Sequence, residues 1–284
     1  VLVISGPAAM AVFHGTSGKA LNYSLEFMGG TSTNVTFNED LSIADIDAEV
    51  KPVVQSITGD ADIQTQKVTG TNQVIIKTRA LDLDERNALN EALAEKFDVD
   101  ESLISAESIS STVSGEMRKD AIVSVVIATI CMLIYIWFRF SNIRFAGSAV
   151  VALVHDVLVV LAFYAIARVS VGNTFIACML TIVGYSINAT IVIFDRIREN
   201  LKSMGKKETV ADVVNKSITQ TLTRSIYTSV TTFIMVAVLF ILGVASIREF
   251  ALPLMVGIAC GGYSSVCITG PLWYVLQGLK KGEK

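Results

Sequence analysis

Long uninterrupted apolar runs dominate the second half of the chain, whereas polar and apolar residues interchange in the first. Four uncharged apolar runs are present, at 121–138, 175–194, 226–245 and 251–276. A fifth run, 146–167, is interrupted only by His155 and Asp156. Each run is close to or above the roughly 18 residues that a helix needs to cross a bilayer. The pattern therefore predicts five membrane-spanning helices.

The first apolar run, Val1–Phe13, is too short to cross a bilayer by itself. We interpret it as the end of a first span, which would give six crossings. A cleaved signal peptide is the alternative interpretation, but the run has neither a positively charged start nor a cleavage site.

Between residues 33 and 109 the pattern changes regularly between strand-like alternation and helical spacing. The predicted strands are Thr33–Phe37, Ile63–Val68, Gln73–Thr78 and Ser102–Ile109. The predicted helices are Ser42–Ile57, with Ser42 as N-cap, and Asp82–Phe97. The order β-α-β-β-α-β predicts a ferredoxin-like α+β domain whose two helices cover one face of an antiparallel sheet. The other face or an edge would then be free for a partner strand.

Composition and charge support a membrane protein with one large hydrophilic domain. The 284 residues are 52% hydrophobic and 17% charged, against about 25% charged in ordinary globular domains. Eleven basic residues lie in the tail and in the loops on one side of the predicted spans, whereas the opposite short loops hold only Arg168 and Arg248. By the positive-inside rule, the first side and both chain ends are cytoplasmic.

Four segments follow from this topology. They are the end of a first span (1–15), an extracytoplasmic domain (16–116), a five-span bundle (117–279) with a cytoplasmic loop (195–222), and a cytoplasmic tail (280–284). The domain carries 18 acidic and 7 basic side chains. We interpret this acidity as a solvated surface, with a basic partner or an unfolded cationic substrate as the alternative.

The chemistry of the chain gives no sign of an enzyme, a cofactor site or a metal site. The hydrophilic domain has no histidine or cysteine after residue 16, and Gly29-Gly30-Thr31 lacks the lysine of a phosphate loop. The four cysteines lie in predicted spans without metal-ligand spacing, so we interpret them as packing residues. Gly257 and Gly261 predict close helix packing, and 206–222 predicts a separate amphipathic helix at the membrane surface.

Ionisable and polar side chains within the apolar runs are the candidates for function, since lipid offers them no water. Asp156 lies roughly 16 Å into its span by helical rise, near the midplane. A carboxylate there costs at least about 2.5–3.5 kcal/mol, whereas the neutral acid costs less, so Asp156 suits a proton carrier. The alternative is a structural hydrogen bond to a neighbouring helix, aided by His155.

The run that ends at 200 is the second candidate region. Ser186, Asn188 and Thr190 would line a hydrated path or join helices through hydrogen bonds. Asp195, Arg196 and Arg198 then mark the exit into the cytoplasm, and we expect Asp195 to pair with Arg196 or Arg198.

Five segments resemble the SecF subunits of the bacterial protein-export machinery, a family of the resistance-nodulation-division (RND) superfamily. The segments are LEFMGGT (25–31), ESISSTVSGEMRKDA (107–121), ALVHDVL (152–158), LTIVGYSINATIVIFDRIREN (180–200) and TLTRSIYTSVTT (221–232). The resemblance implies a SecD partner in a twelve-span complex beside the SecYEG channel in the bacterial cytoplasmic membrane. It further implies a role in the late, ATP-independent export of unfolded secretory polypeptides, driven by a proton or sodium gradient, with no nucleic-acid partner.

The chain departs from this family at one residue of its proton site. The family block usually reads GYSIND, and Ala189 stands here in place of the aspartate. Arg224 is present at the position of the arginine that acts with that aspartate in the family. The alternatives to an export motor are an RND-type exporter of small molecules or ions, and a membrane-assembly scaffold without a motor.

Overall fold

The computed structural model of the chain describes residues 2–17, 21–60, 63–68, 71–139 and 142–278. It divides into two compact units, one formed by Tyr23–Ile122 and the other by Val1–Asn22 with Val123–Lys284. We call the first the sheet unit and the second the membrane unit.

Four strands of the sheet unit form one antiparallel sheet. These are β2 (Gly30–Thr36), β3 (Gln64–Lys67), β4 (Gln73–Thr78) and β5 (Ile104–Ile109), and their order in the sheet is β3-β4-β2-β5. The register pairs Val35 with Val74 and Thr33 with Ala106. The short strands β1 (Asn22–Tyr23) and β6 (Ser170–Val171) lie outside this sheet.

Two helical segments connect these strands. The first runs without a break through α3 (Ile43–Asp45), a π-helical turn (Ile46–Val50) and α4 (Lys51–Thr58). Ser42 and Asp45 bond each other's backbone N–H in a capping box, which confirms Ser42 as the N-cap. The second helix, α5 (Leu83–Phe97), begins with a capping box of Asp82 and Glu85. The predicted β-α-β-β-α-β order is therefore found in the structure.

The core of the sheet unit consists of apolar side chains from one sheet face and both helical segments. Its buried members are Val35, Phe37, Ile46, Val50, Val54, Val74, Ile76, Leu81, Leu89, Leu93, Val99 and Ile104. This burial is the main free-energy gain of the unit.

Gly29 and Gly30 lie where the chain passes from a short helix into the first sheet strand. The short helix α2 (Leu25–Met28) ends at Gly29, which has φ 72°. A Cβ at Gly30 would lie 2.2 Å from the Thr78 carbonyl oxygen. Only glycine fits this close pairing of backbones.

Five helices of the described chain are long and apolar enough to cross a membrane, which confirms the five predicted spans. They are α6 (Ser111–Arg139), α7 (Ile143–Ala167), α8 (Asn173–Lys202), α9 (Val210–Leu242) and a last span made of α10 (Ala245–Ser264), a π-helical turn (Ser265–Thr269) and α11 (Gly270–Gly278). An additional helix, α1 (Leu2–Ser17), packs closely on α7, because a Cβ at Gly6 would lie 2.6 Å from the Ala162 Cβ.

The prediction of a separate amphipathic helix over 206–222 is wrong. The helix α9 begins at Val210 after a Thr209–Asp212 capping box and continues unbroken to Leu242. The apolar stripe of this segment exists, but Val213 and Val214 are buried within the membrane unit. A stripe of this kind has the same period whether it lies on lipid or on a neighbouring helix.

Candidate functional site

Asp156 lies at the centre of a hydrogen-bonded cluster between α7, α8 and α10. Its side chain is 1% exposed. Its Oδ2 accepts hydrogen bonds from the hydroxyls of Ser186 at 2.6 Å and Ser264 at 2.7 Å. Its Oδ1 contacts the Cys260 thiol at 3.2 Å and the His155 Nδ1 at 3.0 Å. We call these five residues the Asp156 cluster.

The cluster can accommodate the carboxyl group in both of its protonation states. An ionised carboxylate offers about four acceptor positions. The cluster places two serine hydroxyls against Oδ2, and the Cys260 thiol and the His155 ring nitrogen against Oδ1. A serine hydroxyl can rotate to accept instead, so the protonated acid could donate to Ser186 or Ser264. These hydrogen bonds thereby reduce the cost of burying the charge.

Two glycines of α10 lie against α8 beside the cluster. A Cβ at Gly257 would lie 2.3 Å from the Ile182 Cδ1, and one at Gly261 would lie 3.4 Å from the Ser186 Cβ. The close approach of the two helices therefore requires a glycine at Gly257. A Cβ at Gly261 would make an ordinary contact, so the predicted packing role is supported for Gly257 and not for Gly261.

A π-helical turn follows directly after Ser264. The Thr269 hydroxyl donates to the Ser264 carbonyl at 3.1 Å across this turn. Such turns contain one extra residue and often occur at functional sites. The turn therefore helps to determine which face of the last span Ser264 occupies.

The other polar residues predicted on α8 do not join the Asp156 cluster. Asn188 is exposed, and Thr190 is buried with no partner for its hydroxyl within the described part of the chain. The Tyr185 hydroxyl donates to Ser229 on α9 at 2.9 Å. Only Ser186, among the three predicted residues of this stretch, contacts Asp156.

Arg224 lies on an exposed face of α9. Among the described residues, no hydrogen bond or ion pair connects its side chain with Asp156. Ala189, the position of the family aspartate, is half-buried.

A separate charged cluster lies at the ends of α6 and α8. Asp195 pairs with Arg139 and, at 3.7 Å, with Arg198. The expected pair of Asp195 with Arg198 is thus present, whereas Arg196 pairs with Glu199 at 2.6 Å and with Gln220. Arg139 was not anticipated as a partner, because its helix is remote in sequence.

Sequence reasoning missed two members of the Asp156 cluster. Cys260, predicted as a packing residue, is in fact a hydrogen-bond partner of Asp156, and Ser264 was not considered. The sequence feature that indicates both residues is the run CGGYSS (260–265), a group of small and polar residues in an apolar span. Small residues mark helix contacts, but a run of six does not tell which of them faces the carboxylate.

Fold and site together define a multi-pass helical membrane protein that buries a hydrogen-bonded carboxyl group in its bundle and carries a small α+β unit. The family model described as protein export membrane protein SecD/SecF, C-terminal, matches residues 89–279. The chain belongs to this family, as its motifs predicted.

Individual relatives agree with this assignment. The protein translocase subunit SecF of Sebaldella termitidis is 39% identical over 267 residues, which cover 94% of this chain and 85% of that protein. The SecF of Desulfurispirillum indicum is 35% identical over 275 residues, covering 93% and 86%.

A solved structure of similar fold is SecDF of Thermus thermophilus, described as a translocon-associated membrane protein. It superposes with a TM-score of 0.81 at 30% sequence identity over 98% of this chain. The chain spans 37% of that SecDF chain.

Proposed function

We propose that this chain is the SecF-type accessory subunit of bacterial protein export. With a SecD partner, it promotes the late, ATP-independent translocation of secreted proteins, driven by the proton or sodium gradient. Membership of the SecD/SecF family supports the export role. Under this proposal the chain has no enzymatic active site.

The Asp156 cluster is the observation that carries the energetic part of this proposal. One elementary charge that crosses 100 mV releases about 2.3 kcal/mol, and a gradient-driven protein needs a group that takes up and releases an ion within the membrane. We infer that Asp156 is such a group, because the hydroxyls of Ser186 and Ser264 and the Cys260 thiol donate to the ionised form, and the two hydroxyls can rotate to serve the protonated form. Ala189 cannot titrate, so we assign the coupling carboxylate of this subunit to Asp156.

The remaining predicted residues have supporting parts in this proposal. His155 and Ser186 hold the Asp156 carboxylate, and Asn188 and Thr190 offer polar groups along the same helix. Arg224 faces outward on α9, where a charged group of a partner subunit could reach it.

Six spans and a ferredoxin-like extracytoplasmic domain are the proposed architecture. The helix α1 would be part of the first span, and the sheet unit would lie outside, with both chain ends in the cytoplasm. The antiparallel strand order β3-β4-β2-β5 with two helical connections supports the ferredoxin-like class. The proposed boundaries remain 1–15, 16–116, 117–279 and 280–284.

The proposed partners are SecD, the SecYEG channel with its accessory proteins, the unfolded secretory polypeptide and the lipid bilayer. Two spans support a partner within the membrane, because only 11% of the apolar window of α6 and of α9 is buried inside this chain. Helix faces of this kind fit lipid or a second membrane subunit.

The test of this proposal replaces Asp156 by asparagine, which is similar in shape but cannot ionise. Export of a secreted protein is measured in cells with the gradient intact and with the gradient collapsed by ionophores. We expect Asp156→Asn to abolish the stimulation of export by the gradient while the complex with SecD still forms. Asp84→Asn, which removes one exposed carboxylate from α5, serves as the control and should export normally.

The alternatives predict other results. A scaffold without a motor, which Ala189 favours, would export equally well with and without the gradient. An RND-type exporter would leave secretion unchanged and alter the accumulation of small molecules. Normal gradient-stimulated export in Asp156→Asn would exclude Asp156 as the coupling group.

A further inference from the structure

Three side chains of the Asp156 cluster together form a set of metal ligands. Within the described residues, His155, Asp156 and Cys260 form a group whose ligand atoms all lie within 4.8 Å of one another. The His155 Nδ1 lies 3.0 Å from the Asp156 Oδ1 and 3.9 Å from the Cys260 Sγ. The Cys260 Sγ lies 3.2 Å from the same carboxylate oxygen.

These separations fit a tetrahedral ion. Zinc binds sulfur at about 2.3 Å and nitrogen or oxygen at about 2.0–2.2 Å. Tetrahedral angles then place the ligand atoms roughly 3.3–3.7 Å from one another. The three observed separations lie close to this range, on either side of it, so the three ligand atoms are near enough to share one ion.

We propose that His155, Asp156 and Cys260 form a binding site for Zn²⁺. Zinc takes histidine nitrogen, carboxylate oxygen and cysteine sulfur as ligands, whereas calcium and magnesium prefer oxygen ligands. The charge balance also favours a divalent ion, since a carboxylate and a thiolate neutralise both of its charges. A neutral complex is the form that a low-dielectric bundle tolerates best.

Three protein ligands leave a fourth coordination position open. His155 and Cys260 both line a groove of about 470 Å³ between α7, α9 and α10, whose other lining residues are Val159, Phe233, Leu252, Met255, Val256, Ala259 and Tyr263. The His155 side chain is 26% exposed. The groove therefore leaves space beside the ligands in which a water molecule can complete the coordination.

Binding exchanges a proton for the metal. The Cys260 thiol donates its hydrogen to the Asp156 carboxylate in the absence of an ion. A thiol must lose its proton to ligate zinc, so the S–H bond is replaced by an S–Zn bond and the proton passes to the solvent. No oxidant or reductant takes part.

The first experiment uses the purified full chain in detergent and Co²⁺ as a spectroscopic substitute for Zn²⁺. We expect Co²⁺ to produce a thiolate-to-metal charge-transfer absorption that Zn²⁺ removes by competition. Removal of a second-shell partner typically lowers metal affinity about 10–100-fold, so loss of the direct ligand in Cys260→Ser should weaken binding at least as much. Cys267→Ser, which changes an exposed cysteine of the same span, is the matched control and should bind as the unaltered chain does.

A second variant keeps the test decisive if Cys260→Ser fails to fold. The variant His155→Gln retains the Cys260 thiol. It should bind Co²⁺ more weakly than the unaltered chain, and Co²⁺ should change its absorption spectrum less. Absence of the charge-transfer band in the unaltered chain, or equal binding in Cys260→Ser and Cys267→Ser, would overturn the proposal.

A functional consequence rests on the proposed coupling role of Asp156. An ion held by this carboxylate occupies it and removes it from the coupling role, so micromolar Zn²⁺ should inhibit gradient-stimulated export, and Cys260→Ser should be more resistant than Cys267→Ser. The Co²⁺ titration needs no gradient, and Asp156→Asn is tested in chelator-treated medium. Failure of the metal site and failure of the coupling role therefore give different results.

Discussion

The sheet unit and the membrane unit differ in the polar groups that they bury. The sheet unit buries mainly hydroxyls, such as those of Thr31, Thr33 and Thr78, beside its apolar core, and ion pairs such as Arg79 with Glu85 lie at the surface. In the membrane unit the polar Asp156 cluster is buried at the contact of three helices, and large apolar side chains are exposed on α6 and α9.

This difference separates groups that maintain the fold from groups that suit a function. Surface ion pairs contribute little, because water and salt screen them. A buried carboxyl group is costly unless its hydrogen bonds are satisfied, and the same fold could be formed more cheaply by apolar packing. The stability of the sheet unit therefore comes mainly from its apolar core, whereas the buried carboxyl group of the membrane unit calls for a functional reason.

The largest expected effect lies in the core of the sheet unit. Leu89 is fully buried, and truncation of such a leucine costs about 2–5 kcal/mol. We expect Leu89→Ala to reduce hydrogen-exchange protection of the strands β2, β4 and β5 in the full chain, while α7, α8 and α10 keep theirs. Leu83→Ala changes an exposed leucine of the same helix and should have little effect. Equal loss in both units would show that the two are not independent.

The second prediction concerns the serines of the membrane unit. Ser264→Ala removes a donor from the Asp156 carboxylate, and hydrogen bonds to charged groups contribute about 1.5–3 kcal/mol. Ser265→Ala is the matched control, because this neighbouring hydroxyl donates to the backbone of Gly262. Thermal unfolding in detergent should show the larger loss for Ser264→Ala. The loss should shrink when Asp156 is already asparagine, and a loss of the same size in both backgrounds would contradict the contact.

Close helix packing in the membrane unit gives the third prediction. A methyl group at position 257 collides with Ile182, and overpacking typically costs about 1–3 kcal/mol. We expect Gly257→Ala to lower the unfolding temperature and Ile182→Val to restore part of it. Gly184→Ala is the control, since no neighbouring atom lies within 4 Å of the Cβ that it would add. Equal effects of Gly257→Ala and Gly184→Ala would contradict the predicted contact.

The smallest expected effect is a pH dependence confined to the sheet unit. The side chain of Arg79 and the backbone N–H of Asp82 donate to Glu85 and hold its pKa below the ordinary value of 4.5. The ionised form is therefore favoured by folding, and this contribution is present above pH 4.5 and lost as the pH falls through the folded pKa.

Glu85→Gln measures this contribution. Hydrogen exchange of the sheet unit in Glu85→Gln should be faster at neutral pH and should approach that of the unaltered chain in acid. The difference in exchange rate between Glu85→Gln and the unaltered chain could also stay constant from neutral pH to below the folded pKa of Glu85. The effect would then come from the shape of the side chain rather than from its charge.

The elements of the sheet unit could be predicted closely from the sequence, because its signals are local. The predicted strand Gln73–Thr78 has the observed bounds, and Asp82 marks the start of α5 as the N-cap. The amphipathic pattern also gives the face that is buried. Caps and alternation act within a few residues, so they can be recognised without the tertiary structure.

The Asp156 cluster could be predicted only in part, because its signals are not local. Asp156, His155 and Ser186 were recognised as polar residues in apolar runs. Cys260 and Ser264 lie more than 100 residues from Asp156. A span that is apolar on all sides carries no periodic signal for its rotation, so the sequence does not tell which of its small residues face the carboxylate.

The π-helical turn Ser265–Thr269 has a mechanical consequence. If its extra residue were absorbed into regular α-helix, one flanking helix would rotate about its axis relative to the other by about 100°. Stacking of Trp273 on Phe145 at 4.6 Å anchors the segment beyond the turn, and the close approach of Gly257 to Ile182 anchors the segment before it. One residue of slippage would therefore either withdraw the Ser264 hydroxyl from the carboxylate or break the Trp273 stack. Deletion of Val266 should force one of these two changes, and loss of the coupling between Ser264 and Asp156 in a double-mutant cycle would identify the first.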